Sequence, residues 1–215
     1  MPILNKSTLP DGKVLHVDPA TGQSFRRLEG GLAWPGDGPG FGLVVGEASV
    51  LDRTVGRFPF HVLYEFEELD LIGLISRAIE TTREYQVDIW HGDRGDRVAL
   101  SLLMEQQQDY YREGLVGVNL VQAPGGEEPL SFRFCASVMR EFFQPALKLL
   151  YLGEDSRLPV VLQEAPRDLS LVGSGAEFPA IAALAYVVAA LKVTDTTAMK
   201  APSRMMRAKF DHFRR

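Results

Sequence analysis

Between residues 60 and 79 the hydrophobic period changes, and that change constrains the fold more than any other feature of the chain. In Phe60-His61-Val62-Leu63-Tyr64-Glu65-Phe66-Glu67 the large apolar residues Phe60, Val62, Tyr64 and Phe66 alternate with a mixed face, as in a strand half-buried in a sheet. After Asp70, Leu71, Ile72, Ile75, Ala78 and Ile79 recur at helical spacing, leaving Arg77, Glu80 and Arg83 for solvent. Asp70 is the expected N-cap, because a carboxylate there accepts a hydrogen bond from the free first-turn amides. Upstream, the run from Phe41 to Val50 is apolar enough for a buried strand that pairs with the second one. Downstream, Val87-Asp88-Ile89-Trp90 forms a short strand entering His91-Gly92-Asp93-Arg94-Gly95-Asp96, and Val98, Ala99, Leu102 and Leu103 begin another helix capped by Asp93 or Asp96. Residues 41–107 thus read as strand, strand, helix, strand, helix, with parallel pairing expected across the helical crossover.

The flanks are less regular. Lys13–Val17 and Gln23–Leu28 surround Asp18-Pro19-Ala20-Thr21-Gly22, the composition of a hairpin loop, and a Gly/Pro-rich connector from Gly30 to Gly40 follows. The predicted division is an N-terminal hairpin and connector over 1–40, an α/β domain over 41–195 and a basic tail over 196–215. Within the α/β domain, 115–121 is a further apolar strand and 132–151 a helical segment interrupted at Pro145. Leu158–Leu162 reads as a short edge strand or extended connection, and Pro179 opens a helix over 180–191 that is apolar on nearly every side. With 215 residues and 46% hydrophobic content, one substantial core is expected.

A net charge of −5 argues against coating nucleic acid through overall charge, so any such contact must be local. The tail residues Lys200, Arg204, Arg207 and Lys209, with Phe210 and Phe213 between basic neighbours, are the candidates for phosphate contact and base stacking; a solvated or partner-docking tail is the alternative. One cysteine, Cys135, excludes an intrachain disulfide and a Cys-rich zinc site, and points to reducing cytoplasm. The first residues lack the basic and apolar regions of a signal peptide, and the apolar run 181–191 is too short to span a bilayer, so neither secretion nor membrane insertion is expected.

Three acids stand at element ends: Glu47 near the end of the first strand, Asp93 past the third and Glu177 at the start of the last helix. Strand ends of α/β sheets form the crevice where ligands bind, and carboxylates brought together there hold Mg²⁺ or Mn²⁺. Two such ions activate water and stabilise the leaving oxygen in phosphodiester cleavage. Each acid also has a plain structural role: Glu47 pointing to solvent, Asp93 capping a helix, Glu177 facing a helix dipole. Asp18 is a rival first ligand or a turn residue, and His91 a general base, a ligand or a polar loop residue.

The succession Gly42-Leu43-Val44-Val45-Gly46-Glu47, second strand, helix, Val87-Asp88-Ile89-Trp90-His91-Gly92-Asp93 and terminal Glu177-Phe178-Pro179-Ala180-Ile181-Ala182-Ala183-Leu184-Ala185 resembles the ribonuclease-H-like nuclease domain of phage terminase large subunits, in outline over 41–192. The resemblance implies an α/β mixed sheet with flanking helices and a DNA endonuclease of phage or prophage origin. Glu47, Asp93 and Glu177 would be its catalytic metal ligands for Mg²⁺ or Mn²⁺. DNA and phage packaging or assembly proteins are the implied partners. The family has aspartate at the first position and an acidic doublet at the last helix, so a degenerate, non-catalytic structural or assembly protein retaining the fold is the alternative. A small-molecule-binding α/β module is the third reading.

Overall fold

A computed structural model describes residues 4–53, 56–140, 149–164 and 174–192. Among these residues eight strands form one sheet: β1 (Asn5–Thr8), β2 (Val14–Val17), β3 (Ser24–Ala33), β4 (Gly40–Ala48), β5 (Phe60–Glu68), β6 (Ile89–Gly92), β7 (Leu120–Gln122) and β8 (Leu150–Tyr151). The helices are α1 (Leu71–Tyr85), α2 (Arg97–Arg112), α3 (Leu130–Met139), α4 (Leu158–Glu164) and α5 (179–192). A 3₁₀ turn, Gly175–Glu177, leads into α5.

Across the sheet the order is β8, β5, β4, β3, β6, β7. β3, β4 and β5 are mutually antiparallel neighbours, whereas β6 runs parallel to β3 and β7 parallel to β6. The edge of β3 opposite β4 is divided: β2 pairs with Ser24 and Phe25, and β6 pairs with Glu29 to Leu32. Strands from the expected hairpin and connector thus pair in the same sheet as β4 and β5. β3 is the central strand, with its charged Arg26, Arg27 and Glu29 ion-paired within the protein, and the Gly30-Gly31 pair assigned to a connector belongs to it. Those two glycines permit close approaches on opposite faces of the sheet. A Cβ on Gly30 would lie 2.3 Å from the Trp90 ring, and one on Gly31 would lie 1.9 Å from the carbonyl oxygen of Ala183 on α5.

The two faces carry separate cores. α1 and α2 pack through Leu74, Ile75, Ala78, Ala99 and Leu103 onto Leu28, Leu32, Val44, Phe66 and Trp90. On the other face, α3, α4 and the apolar α5 cover Leu43, Val45, Phe60 and Val62. A sheet covered on both faces explains why β4 is buried along its whole length.

Several elements match the expected pattern. Asp70 caps α1, accepting from the Gly73 amide at 2.8 Å, and Asp96 rather than Asp93 caps α2, accepting from Val98 and Ala99 at 2.9 and 3.0 Å. Asp18 takes its turn role, accepting from the Ala20 amide and the Thr21 hydroxyl. Other expectations are corrected. The parallel partner of β6 is β3, not β5, and β7 is confined to Leu120–Gln122. Leu150–Tyr151 is a strand beside β5 instead of a helix end, and Leu158–Glu164 is a helix, with Pro159 in its first turn. The alternation of β5 is also split. Val44 pairs with Tyr64 and Val45 with Val62, leaving Leu63 as an extra residue, so Phe60 and Val62 join the α5 face while Tyr64 and Phe66 join the α1 face. Pro145 and the tail with Lys200, Arg204, Arg207 and Lys209 lie outside the described residues.

Candidate functional site at the carboxyl edge of the sheet

Because β3, β6 and β7 are parallel, their carboxyl ends meet at one edge, the position where an α/β sheet forms its ligand crevice. A cavity of about 220 Å³ opens there, lined by Ala33, Trp34 and Pro35 after β3, Asp93 after β6, Asp96 at the α2 cap, Glu128 before α3, Ser174 to Ala176, and Tyr186 on α5. Three carboxylates thus face one crevice, and each already has hydrogen-bond donors. Asp93 accepts through Oδ1 from the Gly95 amide at 3.1 Å and the Glu128 amide at 3.4 Å, while its carbonyl accepts from the Trp34 indole at 2.7 Å. Glu128 accepts through Oε1 from the Ser131 hydroxyl at 3.3 Å and from the Tyr186 hydroxyl, and through Oε2 from the Gly175 amide at 3.2 Å.

Together these bonds tie β3, β6, α3, the 3₁₀ turn and α5 to one another. Burial, together with the hydrogen bond to Glu128, pushes the Tyr186 phenol above its ordinary range, so it remains a donor across the physiological range. Burial and the nearby Glu128 charge push the Cys135 thiol up to about 12, keeping it a neutral group that donates to the Pro124 carbonyl.

The three acids singled out by sequence are placed apart. Glu47 is fully buried, with Oε2 2.5 Å from the Arg27 guanidinium and Oε1 on Arg26. It pairs with Arg27 on β3, whereas Gly92, just before Asp93, pairs with Leu32. Five residues along β3, at about 3.3 Å each, separate the two levels by roughly 16 Å, beyond the reach of a shared ion. The physical reason is the antiparallel pairing of β4 with β3, which carries the end of β4 to the amino end of its neighbour.

Glu177 turns back on its own helix start. Its carboxylate accepts from the Ser174 amide at 3.3 Å in a capping box, and it lines a different cavity of about 670 Å³ beside Asp37, Glu67 and Arg157. Only Asp93 of the three stands in the crevice. His91 is buried on β6, 2.6 Å from the Glu29 carboxylate on β3. Among the described residues no three His, Cys, Asp or Glu side chains gather to hold a metal ion.

Sequence reasoning missed Trp34, Glu128 and Tyr186. Glu128 lay in a segment read only as a loop, although an acid just before a helix is a usable signal. Tyr186 is the lone polar tip in the apolar run of α5, another signal, because a buried phenol needs a partner. Nothing in the spacing marks Trp34 as their neighbour.

No protein-family model matches the chain, and no curated protein matches it in sequence. Solved structures share its outline. The nuclease domain of the large terminase from bacteriophage SPP1, with bound Mn, is 12% identical at a TM-score of 0.44, covering 75% of this chain and 85% of that one. The fowlpox virus Holliday junction resolvase is 12% identical at 0.40, covering 79% and 99%. The yeast mitochondrial Holliday junction resolvase Ydc2 is 9% identical at 0.42, covering 80% and 85%. The fold itself is α/β, a mixed sheet with flanking helices.

Proposed function

We propose that the chain is a non-catalytic assembly or binding module on a ribonuclease-H-like body, its carboxyl-edge crevice serving as a structural joint. The observation that carries this reading is the use of Glu128. Both of its oxygens are engaged by donors from three segments, Ser131, Gly175 and Tyr186, while β3 delivers Ala33 and Trp34 to the crevice instead of a carboxylate. A carboxylate holding separate segments together in a partly buried setting is costly to withdraw for another task, because its donors would be left unpaired. Phage packaging or assembly proteins in the cytoplasm are the partners this reading takes from the sequence resemblance.

One observation favours a second reading, a Mg²⁺- or Mn²⁺-dependent DNA endonuclease of terminase type. Asp93, Asp96 and Glu128 line one cavity, and the Glu128 amide donates to Asp93. One experiment separates the two. Supercoiled plasmid is incubated with the protein and Mn²⁺, beside Asp93→Asn. Equal, background nicking by both is expected; metal-dependent nicking that the substitution abolishes would replace the assembly reading with the nuclease one.

A further inference from the structure

The cavity of about 670 Å³ that Glu177 lines adjoins the crevice of Asp93 and Glu128, and Ser174 and Ala176, on the way into α5, border both. Its walls are largely apolar, with Phe41 near the start of β4, Val161 on α4, and Phe178, Pro179 and Ala180 where α5 begins. Asp37, Glu67 and Glu177 stand beside them as exposed acids. Arg157, paired with Glu67 at 2.6 Å, is the one cation among the described lining residues. The groove is thus apolar within and negative at its rim.

One stretch of the chain has the complementary character. Residues 200–215 carry Lys200, Arg204, Arg207, Lys209, Arg214 and Arg215 against a single acid, Asp211, in a chain of net charge −5. Met206, Phe210 and Phe213 recur at i, i+4 and i+7, the spacing with which a helix sets anchors into an apolar groove, and on that period Arg207, Lys209 and Arg214 flank the apolar stripe. Reach fits as well. Over α5, residues 179–192, a rise of about 1.5 Å per residue carries the chain roughly 20 Å from the groove. Fully extended, residues 193–199 would cover about 23 Å, enough to bring residue 200 back to it.

We propose that residues 200–215 dock in this groove of their own chain, with Met206, Phe210 and Phe213 against its apolar walls and the flanking cations on the rim of Asp37, Glu67 and Glu177. Residues 165–173, which join α4 to the turn at the head of α5, carry one arginine and one aspartate, and so lack the net charge that the rim favours. Docking withholds the basic segment from phosphate contacts elsewhere. The inference stands apart from the reading of the neighbouring crevice, since it holds whether or not that crevice cleaves DNA.

The test is cross-linking of the full chain carrying Gly38→Cys and Ala208→Cys, with a short bismaleimide at low protein concentration. A Cβ on Gly38, in the groove wall, meets nothing within 4 Å, and the native Cys135 is buried. The comparison is Ser7→Cys with Ala208→Cys. Ser7 is exposed on β1, which joins the sheet through β2 at the amino end of β3, the end where Arg27 meets Leu191 of α5, so an undocked segment would reach it at least as readily. Linking within one chain is expected about fivefold or more faster at Gly38 than at Ser7. Phe210→Ser with Phe213→Ser should bring it down to the Ser7 level, and salt at about 0.5 M should lower it. Equal linking at the two positions, or linking at Gly38 that the serine substitutions leave unchanged, would overturn the proposal. A link at Gly38 formed only between chains would overturn docking within one chain and assign the groove to the segment of a second copy.

Discussion

The two ends of β3 solve the same problem, polar groups held inside an α/β layer, in different ways. At the amino end, charge is met by charge: Arg26 and Arg27 close on Glu47, and Arg27 approaches Glu29 at 3.6 Å. Arg27 also donates to the carbonyl of Leu191 near the end of α5. At the carboxyl end, the acids Asp93 and Glu128 are met by neutral amide and hydroxyl groups. Acidic residues therefore do not by themselves mark the chemically available end of a sheet. What decides availability is which donors the topology delivers, and here the fullest ion pairing falls where β4 ends, while the ligand-type crevice is closed by hydrogen bonds.

The comparison breaks most visibly at Glu47. Glu47→Ala removes the carboxylate shared by two guanidiniums that remain largely covered, at 33% and 22% side-chain exposure. A loss of about 3 kcal/mol is expected in urea unfolding, the low end for a broken buried pair because both arginines retain some solvent. Tyr186→Phe removes one neutral donor from Glu128 while Ser131 and Gly175 remain, so about 1 kcal/mol is expected in the same measurement. A Tyr186→Phe loss equal to that of Glu47→Ala would erase the distinction between the ends.

The smallest effect expected is in pH dependence, and it too belongs to the amino end. Burial holds both His16, on β2, and His61, opposite Gly46 on β5, below the ordinary histidine value of 6.5, with the Lys6 charge adding to the effect at His16. The unfolded chain then binds more protons than the native one as pH falls through that value. Stability is accordingly full above about 6.5 and declines as pH drops through it toward the lowered native values. Replacing both histidines with phenylalanine should flatten the slope of unfolding free energy between pH 7.5 and 5, whereas Tyr186→Phe should leave the slope intact. An unchanged slope in the histidine variant would move the pH response elsewhere in the molecule.

Legibility from sequence followed the range of the interaction involved. The α1 cap at Asp70, the α2 start at Asp96 and the turn at Asp18 depend on contacts two or three residues away, and all were readable as local spacing. β3 was legible only as the second strand of a hairpin; its continuation to Ala33 and its central place were not, because its partners Glu47 and His91 lie 20 or more residues distant. The helix at Leu158–Glu164 was missed because a short apolar run carries no period that separates helix from strand. Of the crevice, Asp93 was found and Glu128, Tyr186 and Trp34 were not.

The sequence by itself determined the order of strands and helices from β4 to α2 and the apolar character of α5, since both follow from hydrophobic period and capping chemistry. Only the tertiary structure decided where each acid works. The antiparallel turn from β3 to β4 sends Glu47 to one end of the sheet, the parallel return of β6 sends Asp93 to the other, and strand direction is a property of pairing that no single strand's residues encode.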